Sequence, residues 1–311
     1  MGLTIFKKMT HYFELTRNQR QQDDSQYLQI LRNIRNFSVT PEDYDYLNRN
    51  CTVNLEKQSD EWFTTTTFIV NENAPRVKWN QKIVQKYSRL HQTPVYTIVG
   101  HDVLKMQLES INDAVFSLVD EKIAGGLQKR LYLAIGMPVL FTENLHKYLG
   151  ACNGSQGILT GLVFDEINEI QALKIRLNSV ERFQIDGLDE NTIIVERKSH
   201  QEYVSYRDVY YQFTRSQYPI REGFCWTAHK AQGCTLNKAV LCLNDRGGTS
   251  AYVKLSRTKT SRSTFIMPGF TIDNLVINRN PDYTAWRKTL EEGINQTKLV
   301  VDAIHDFSES Q

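Results

Sequence analysis

Within the first fifty residues, Tyr27, Leu28, Leu31, Ile34 and Arg35 fall at near-helical spacing. Thr40-Pro41-Glu42-Asp43 then supplies a cap and a proline at the first helical position, so a helix pair is predicted. Ahead of it, Phe13 to Gln21 starts like a strand and ends in polar residues that include Arg17 and Arg20. Trp62 to Val70 is β-branched and aromatic, which predicts a strand, and an amphipathic helix follows around Val77 to Leu90. That is the strand-to-helix unit of α/β proteins. Val95 to Val99 reads as a further strand.

From Leu131 the pattern changes to short strands separated by Gly and Asn turns: Met137 to Phe141, Gly157 to Phe164, Ala172 to Leu177 and Thr192 to Glu196. A small β-barrel or another β-rich insertion explains that spacing. The α/β pattern resumes near Tyr218-Pro219, with an apolar strand at Ala239 to Leu243 and a Gly247-Gly248 turn before the next helix. Residues 280–311 read as a helical tail, with Trp286, Leu290, Ile294 and Leu299 as its apolar contacts. The expected organisation is a discontinuous α/β domain over 1–130 and 214–270, a β-rich, barrel-like insertion over 131–213, and a helical tail over 271–311.

Composition adds bounds rather than a function. Hydrophobic residues make up 41% and charged residues 23% of the 311, as in ordinary folded proteins. The net charge of +2 requires any basic surface to be a local groove. Five cysteines, an odd number without framework spacing, favour a reducing compartment, nuclear or cytoplasmic. Phe6 stands where a myristoylation motif wants Ser or Thr, and no apolar run approaches spanning length, so neither anchor nor membrane span is expected. Cys225, His229 and Cys234 lack a paired spacing, and no metal site of the chain's own is expected.

The densest candidate chemistry is Thr227-Ala-His-Lys-Ala-Gln-Gly-Cys-Thr235. A hydroxyl, the titratable His229, the cation Lys230 and the amide of Gln232 end at Gly233, which permits close backbone approach. Those groups suit a phosphate. They equally suit a helix C-terminus whose Lys and His complement the dipole and whose Gly233 caps it, and residue chemistry leaves both readings open.

The same stretch, followed by the Val240-Leu-Cys-Leu243 strand, resembles motif five of superfamily-one helicases of the petite-integration-frequency and RecD-like group. Ala251-Tyr-Val-Lys-Leu-Ser-Arg257 resembles their motif six. Gly136-Met-Pro-Val-Leu-Phe-Thr-Glu-Asn-Leu145 with Asn153-Gly-Ser-Gln-Gly157 resembles the signature that leads into their β-barrel insertion. Leu15 to Gln21 with Ile30 to Arg35 resembles the motif-four region. The four matches come in the family's order.

The resemblance implies an α/β fold: one RecA-like lobe, the second motor lobe of a phosphate-loop NTPase, with a small inserted β-barrel. It implies ATP-driven 5′-to-3′ DNA unwinding with magnesium and ATP as cofactors and single-stranded DNA or DNA junctions as partners. Arg257 and Arg20 match the arginines that reach the γ-phosphate, a guanidinium stabilising charge on the transferred phosphoryl oxygens. Arg20 reads equally as a surface arginine, whereas Tyr252 and Leu255 anchor one face of the helix before Arg257. Gln232, Gly233 and Lys230 become candidate nucleotide-binding residues, and Thr227 and His229 candidate DNA-backbone contacts.

Two departures stand out. Lys254 replaces a small apolar residue, which implies a snorkelling side chain or relaxed constraint. No Gly-x-x-x-x-Gly-Lys-Ser/Thr occurs in the 311 residues, and the acidic pairs Asp120-Glu121 and Asp165-Glu166 follow motif four instead of preceding it, so both read as structural acids. The expectation is therefore the C-terminal half of such a helicase, without the first lobe and catalytically incomplete alone. A non-enzymatic single-strand-binding module and a motor completed in trans by a first-lobe partner are the alternatives.

Overall fold

The structure is a computed structural model that describes residues 9, 11–13, 18–105, 116, 119, 121–178, 182–244, 248–276 and 281–309. The chain divides into two compact units, residues 1–52 with 243–311, and residues 53–242.

The first unit opens with the predicted helix pair. Helix α1 (Ser25–Arg35) starts where the Asp24 carboxylate accepts the Tyr27 N–H at 2.9 Å, and it buries Tyr27, Ile30, Leu31 and Ile34. Helix α2 (Pro41–Cys51) starts at a reciprocal capping box between Thr40 and Asp43, with Pro41 at its first position. The strand-like start read at Phe13 runs into residues 14–17, outside the described set, and residues 19–23 are bends and turns.

In the second unit the stretch from Trp62 to Val70 is half helix, against the expected strand. Ser59 Oγ accepts the Trp62 N–H at 3.1 Å, and Asp60 and Glu61 face the positive end of the turn, giving α3 (Asp60–Thr65). Extended chain begins only at β1 (Thr67–Val70). Helix α4 (Asn73–His91) ends at Gln92, whose φ of 51° is left-handed. The β-rich part comprises β2 (Tyr96–Val99), β3 (His101–Leu104), β4 (Arg130–Leu133), β5 (Pro138–Phe141), β6 (Gln156–Phe164), β7 (Ile170–Leu177), β8 (Thr192–Glu196), β9 (Lys198–Tyr206), β10 (Val209–Gln217) and β11 (Ile220–Glu222). Strands β11-β5-β6-β7-β8 form one antiparallel sheet, β3-β10-β9 a second, and β2 pairs with β4. The four strands read from 137 to 196 are all present to within two residues at each end.

Strand β12 (Cys225–Thr227), the turn of helix α5 (Ala228–Ala231) and β13 (Ala239–Leu241) return to the α/β pattern. Strands β12 and β13 flank β1 in parallel, with Phe68 opposite both Cys225 and Val240 and Val70 opposite Thr227. All three strands are buried except at Thr67 and Thr227, as a parallel sheet requires. The architecture is thus mixed α/β around a parallel sheet.

The first unit closes with α6 (Gly248–Leu255), β14 (Thr264–Ile266) and α7 (Pro281–Glu309). A parallel bridge joins Thr52 to Ile266. In the predicted tail helix Ile294 is buried, whereas Leu299 is 70% exposed. No helix among the described residues is long and apolar enough to cross a membrane.

Candidate nucleotide and nucleic-acid site

Arg20 and Arg257 meet on one residue of the first unit. Helix α6 ends at Leu255, and Ser256 and Arg257 continue its last turn through N–H bonds to Tyr252 and Lys254 carbonyls. Arg257 folds back on that turn: its Nε donates to the Val253 carbonyl at 2.7 Å and its Nη2 to Ser256 Oγ at 2.6 Å. A guanidinium at a helix C-terminus is favoured there by the exposed carbonyl dipoles. Arg20 reaches the same residue from the other end of the sequence, its Nη1 donating to the Ser256 carbonyl at 2.6 Å. The neighbouring Gln21 amide donates to the Thr258 carbonyl at 2.7 Å.

The frame behind this pair is buried and polar. Tyr27 is fully buried, which pushes its hydroxyl far above the ordinary tyrosine range, and it donates to the Leu255 carbonyl at 2.8 Å. Asp24, besides capping α1, accepts the Ser261 N–H at 2.8 Å and its hydroxyl at 2.7 Å. Burial raises the Asp24 pKa, but the Ser261 and Tyr27 bonds, with Arg262 nearby, outweigh it and hold the carboxyl below its ordinary value. Lys254 is completely buried, so of the two readings of this departure the snorkelling one does not hold.

The Thr227 stretch lies in the second unit. Its strand β12 is the edge of the three-stranded parallel set, and Asn80 of α4 serves as the next strand: its Nδ2 donates to the Cys225 carbonyl at 3.0 Å and its Oδ1 accepts the Cys225 N–H at 2.7 Å. Thr227 then opens a single helical turn, after which Gln232 is extended and Gly233, at φ of 91°, is the third residue of a turn closed by the Cys234 N–H on the Ala231 carbonyl at 3.1 Å. His229, Gln232 and Gly233 are exposed and Thr227 is half-buried. Lys230 turns sideways, its Nζ donating to Asn153 Oδ1. Burial first, and then Arg221, lower the Lys230 pKa, with Glu121 opposing. The Asn153 loop and the Thr227 stretch share a cleft of about 300 Å³ lined by Trp226, Cys234, Thr235, Leu236, Gly154 and Ser155.

Beneath lies a buried ion network that sequence reasoning missed. Glu121 pairs with Arg76 and, at 2.9 Å, with Arg221, while Glu222 accepts from Gln128 Nε2 and the Tyr132 N–H, both at 2.9 Å. Glu121 is therefore a structural acid, as expected, although Asp120 lies outside the described residues. Asp165 is one too: it closes the β6–β7 turn by accepting from the Ile167 and Glu169 N–H groups and from Gln171. Among the described residues no cluster of three or more His, Cys, Asp or Glu could hold a metal ion. Asn80 carried no signal beyond its polarity, Asn153 was singled out only within the stretch that resembles the helicase signature, and the ion network joins residues from three separate stretches.

No protein-family model matches the sequence. No curated protein matches it either. Solved structures do. The Pif1 helicase from Bacteroides in complex with ADP-AlF3 and single-stranded DNA superposes with a TM-score of 0.63 at 21% identity, over 91% of this chain and 57% of that one. Bacteroides Pif1 bound to single-stranded DNA gives 0.63 at 22% identity, with the same two coverages. The Pif1 helicase from Candida albicans gives 0.60 at 17%, over 87% of this chain and 59% of that one. The chain has the fold of these Pif1 helicase structures across most of its own length, and it spans somewhat more than half of theirs.

Proposed function

We propose that this chain is the second-lobe half of an ATP-dependent 5′-to-3′ DNA helicase, presenting arginines to a nucleotide held elsewhere and a DNA-contacting turn to a single strand. The observation that carries the reading is the meeting of Arg20 and Arg257 on Ser256, with Arg20 and Ser256 236 residues apart in sequence. Two guanidiniums at one helix end suit charge developing on phosphoryl oxygens, where positioned cations accelerate transfer by several orders of magnitude.

The chain's own residues do not fit a complete magnesium-ATP site. The Asp165 carboxylate is consumed in its turn and that of Glu121 in two ion pairs, and the sequence holds no phosphate loop. In the first unit Arg20 and Arg257 are the groups proposed to answer a nucleotide, and in the second unit Gln232, Gly233 and Lys230 are proposed as nucleotide-binding residues. Thr227 and His229 meet the DNA backbone, which makes binding sequence-tolerant and salt-sensitive. For the domains, the insertion expected at 131–213 is proposed to be barrel-like and to draw in β3 and β11, which pair with β10 and β5.

The test is the purified chain with oligo-dT and ATP. The expected result is single-strand binding that weakens steeply with salt, no ATP turnover alone, and DNA-stimulated turnover when a first-lobe segment is added, abolished by Arg257→Ala. Turnover by the chain alone that Arg257→Ala removes would overturn the incomplete-motor reading. Salt-sensitive binding with no nucleotide response in any mixture would leave a non-enzymatic binding module.

A further inference from the structure

The antiparallel sheet β3-β10-β9 has two unlike faces. Phe213, Val204 and Leu104 point inward and pack with Leu127, Ala124 and Val119. Strand alternation puts Val103, Tyr203, Tyr210, Gln212 and Thr214 on the other face. There Tyr210 is 75% exposed, Tyr203 55% and Val103 47%. Tyr203 lies opposite Gln212, whose amide donates to its hydroxyl at 3.2 Å, and Tyr210 lies opposite Ser205. The two rings are therefore diagonal neighbours on adjacent strands, roughly 7–8 Å apart at the backbone. None of the outward positions of the three strands is acidic.

Charged groups rim this face: Lys105 follows β3, Arg197 and Lys198 stand at the start of β9, Arg207 in the β9–β10 turn beside Asp208 lies over the inward Tyr206 ring at 5.2 Å, and the Glu202 carboxylate accepts the Tyr203 N–H at 3.0 Å. Lys198 is paired with Glu143 at 3.1 Å. Beyond Ser216 and His101 the face runs into a groove of about 770 Å³, where Arg197 lies over the Tyr218 ring at 5.0 Å and Glu169 is the acid among the lining residues. Val103 is the one aliphatic side chain among those outward residues, so an apolar peptide has little to bury there. Paired aromatic rings, amides and hydroxyls, with Lys105 beside them, match the bases and phosphates of an extended single strand.

We propose that this face is a stacking platform for single-stranded nucleic acid, with successive bases on Tyr203 and Tyr210 and a phosphate near Lys105. The inference rests on the single-strand-binding reading above and adds a second contact region, distinct from Thr227 and His229.

Fluorescence anisotropy of labelled dT20 against the full chain tests it. Tyr203→Ala with Tyr210→Ala weakens binding at least about tenfold with the salt slope unchanged, since stacking rather than charge is lost. The paired Tyr→Phe changes, which keep the rings, restore binding. Lys105→Ala lowers the slope of log K against log salt by about one. Unchanged dT20 affinity in the double alanine variant, with wild-type circular dichroism, overturns the proposal and leaves the face to a protein partner. Equal weakening by the paired Phe and Ala changes overturns stacking. His229→Ala, run alongside, separates the two ideas: if it weakens binding while the double alanine variant does not, the platform fails and the helicase-half reading stands.

Discussion

Replacing Asn80 with alanine should destabilise the second unit more than any surface change and loosen the strand that carries Thr227. The amide is fully buried and satisfies both backbone groups of Cys225 on the side of β12 that faces away from β1. Alanine leaves a buried N–H and a buried C=O without partners, each costing about 1–3 kcal/mol. A total of roughly 3 kcal/mol follows, or a fall in Tm of about 6–12 °C for a domain of this size. Urea denaturation followed by tryptophan fluorescence measures it, because Trp226 adjoins the lost bonds. Asn80→Asp sharpens the test. Its carboxylate still accepts from the Cys225 N–H but opposes the Cys225 carbonyl, and only the protonated acid can donate there. The aspartate's pKa is then raised on folding, so the variant should regain stability as pH falls towards 5. Asn80→Ala within about 0.5 kcal/mol of wild type, or Asn80→Asp with the wild-type pH profile, would refute the reasoning.

Three further outcomes are expected. Asp24 has a depressed pKa in the folded chain, so its contribution to the first unit is present above about pH 4 and is lost as pH falls through the folded value. Asp24→Asn should flatten the acid limb of a stability-against-pH curve. Gly223→Ala would bring a Cβ to 2.8 Å from the Pro138 carbonyl, so overpacking should cost about 1–3 kcal/mol, read as a lower urea midpoint. Ser59→Ala removes the cap of α3 and should cost about 1 kcal/mol by the same measurement.

What the sequence made legible was what short stretches decide. The spacing of Tyr27, Leu28, Leu31 and Ile34 and the Thr40-Pro41 pair announce α1 and α2, and short strands between Gly and Asn turns announce β5 to β8. Apolar and aromatic content alone misled at Trp62 to Val70, where the polar Ser59-Asp60-Glu61 start settles the first half as helix. The hairpin β9–β10 escaped for two physical reasons. Its inward positions include His200 and Glu202 instead of a run of apolar residues, and its turn is Arg207-Asp208, both at positive φ, without the glycine that marks such turns. Long-range polar contacts had no local signature. Asn80 on Cys225 and Glu121 between Arg76 and Arg221 could not be foreseen, and Arg20 was singled out only through the resemblance.

Lys230 shows how the two levels combine. Its position before Gly233 suited both a phosphate contact and a helix-end cation, and its chemistry could not choose between them. In the fold its ammonium is turned onto Asn153, so it ties the Thr227 turn to the loop that resembles the helicase signature. The outward groups of that turn are His229, Gln232 and the Gly233 backbone. A nucleotide or DNA phosphate approaching the turn meets those groups first, and reaches Lys230 only by competing with Asn153. Asn153→Ala, which frees the ammonium, should therefore strengthen phosphate attraction at this turn while weakening its attachment to the loop. Tighter oligo-dT binding with a steeper salt slope would mark that exchange, and an unchanged slope would show that Lys230 serves the scaffold alone.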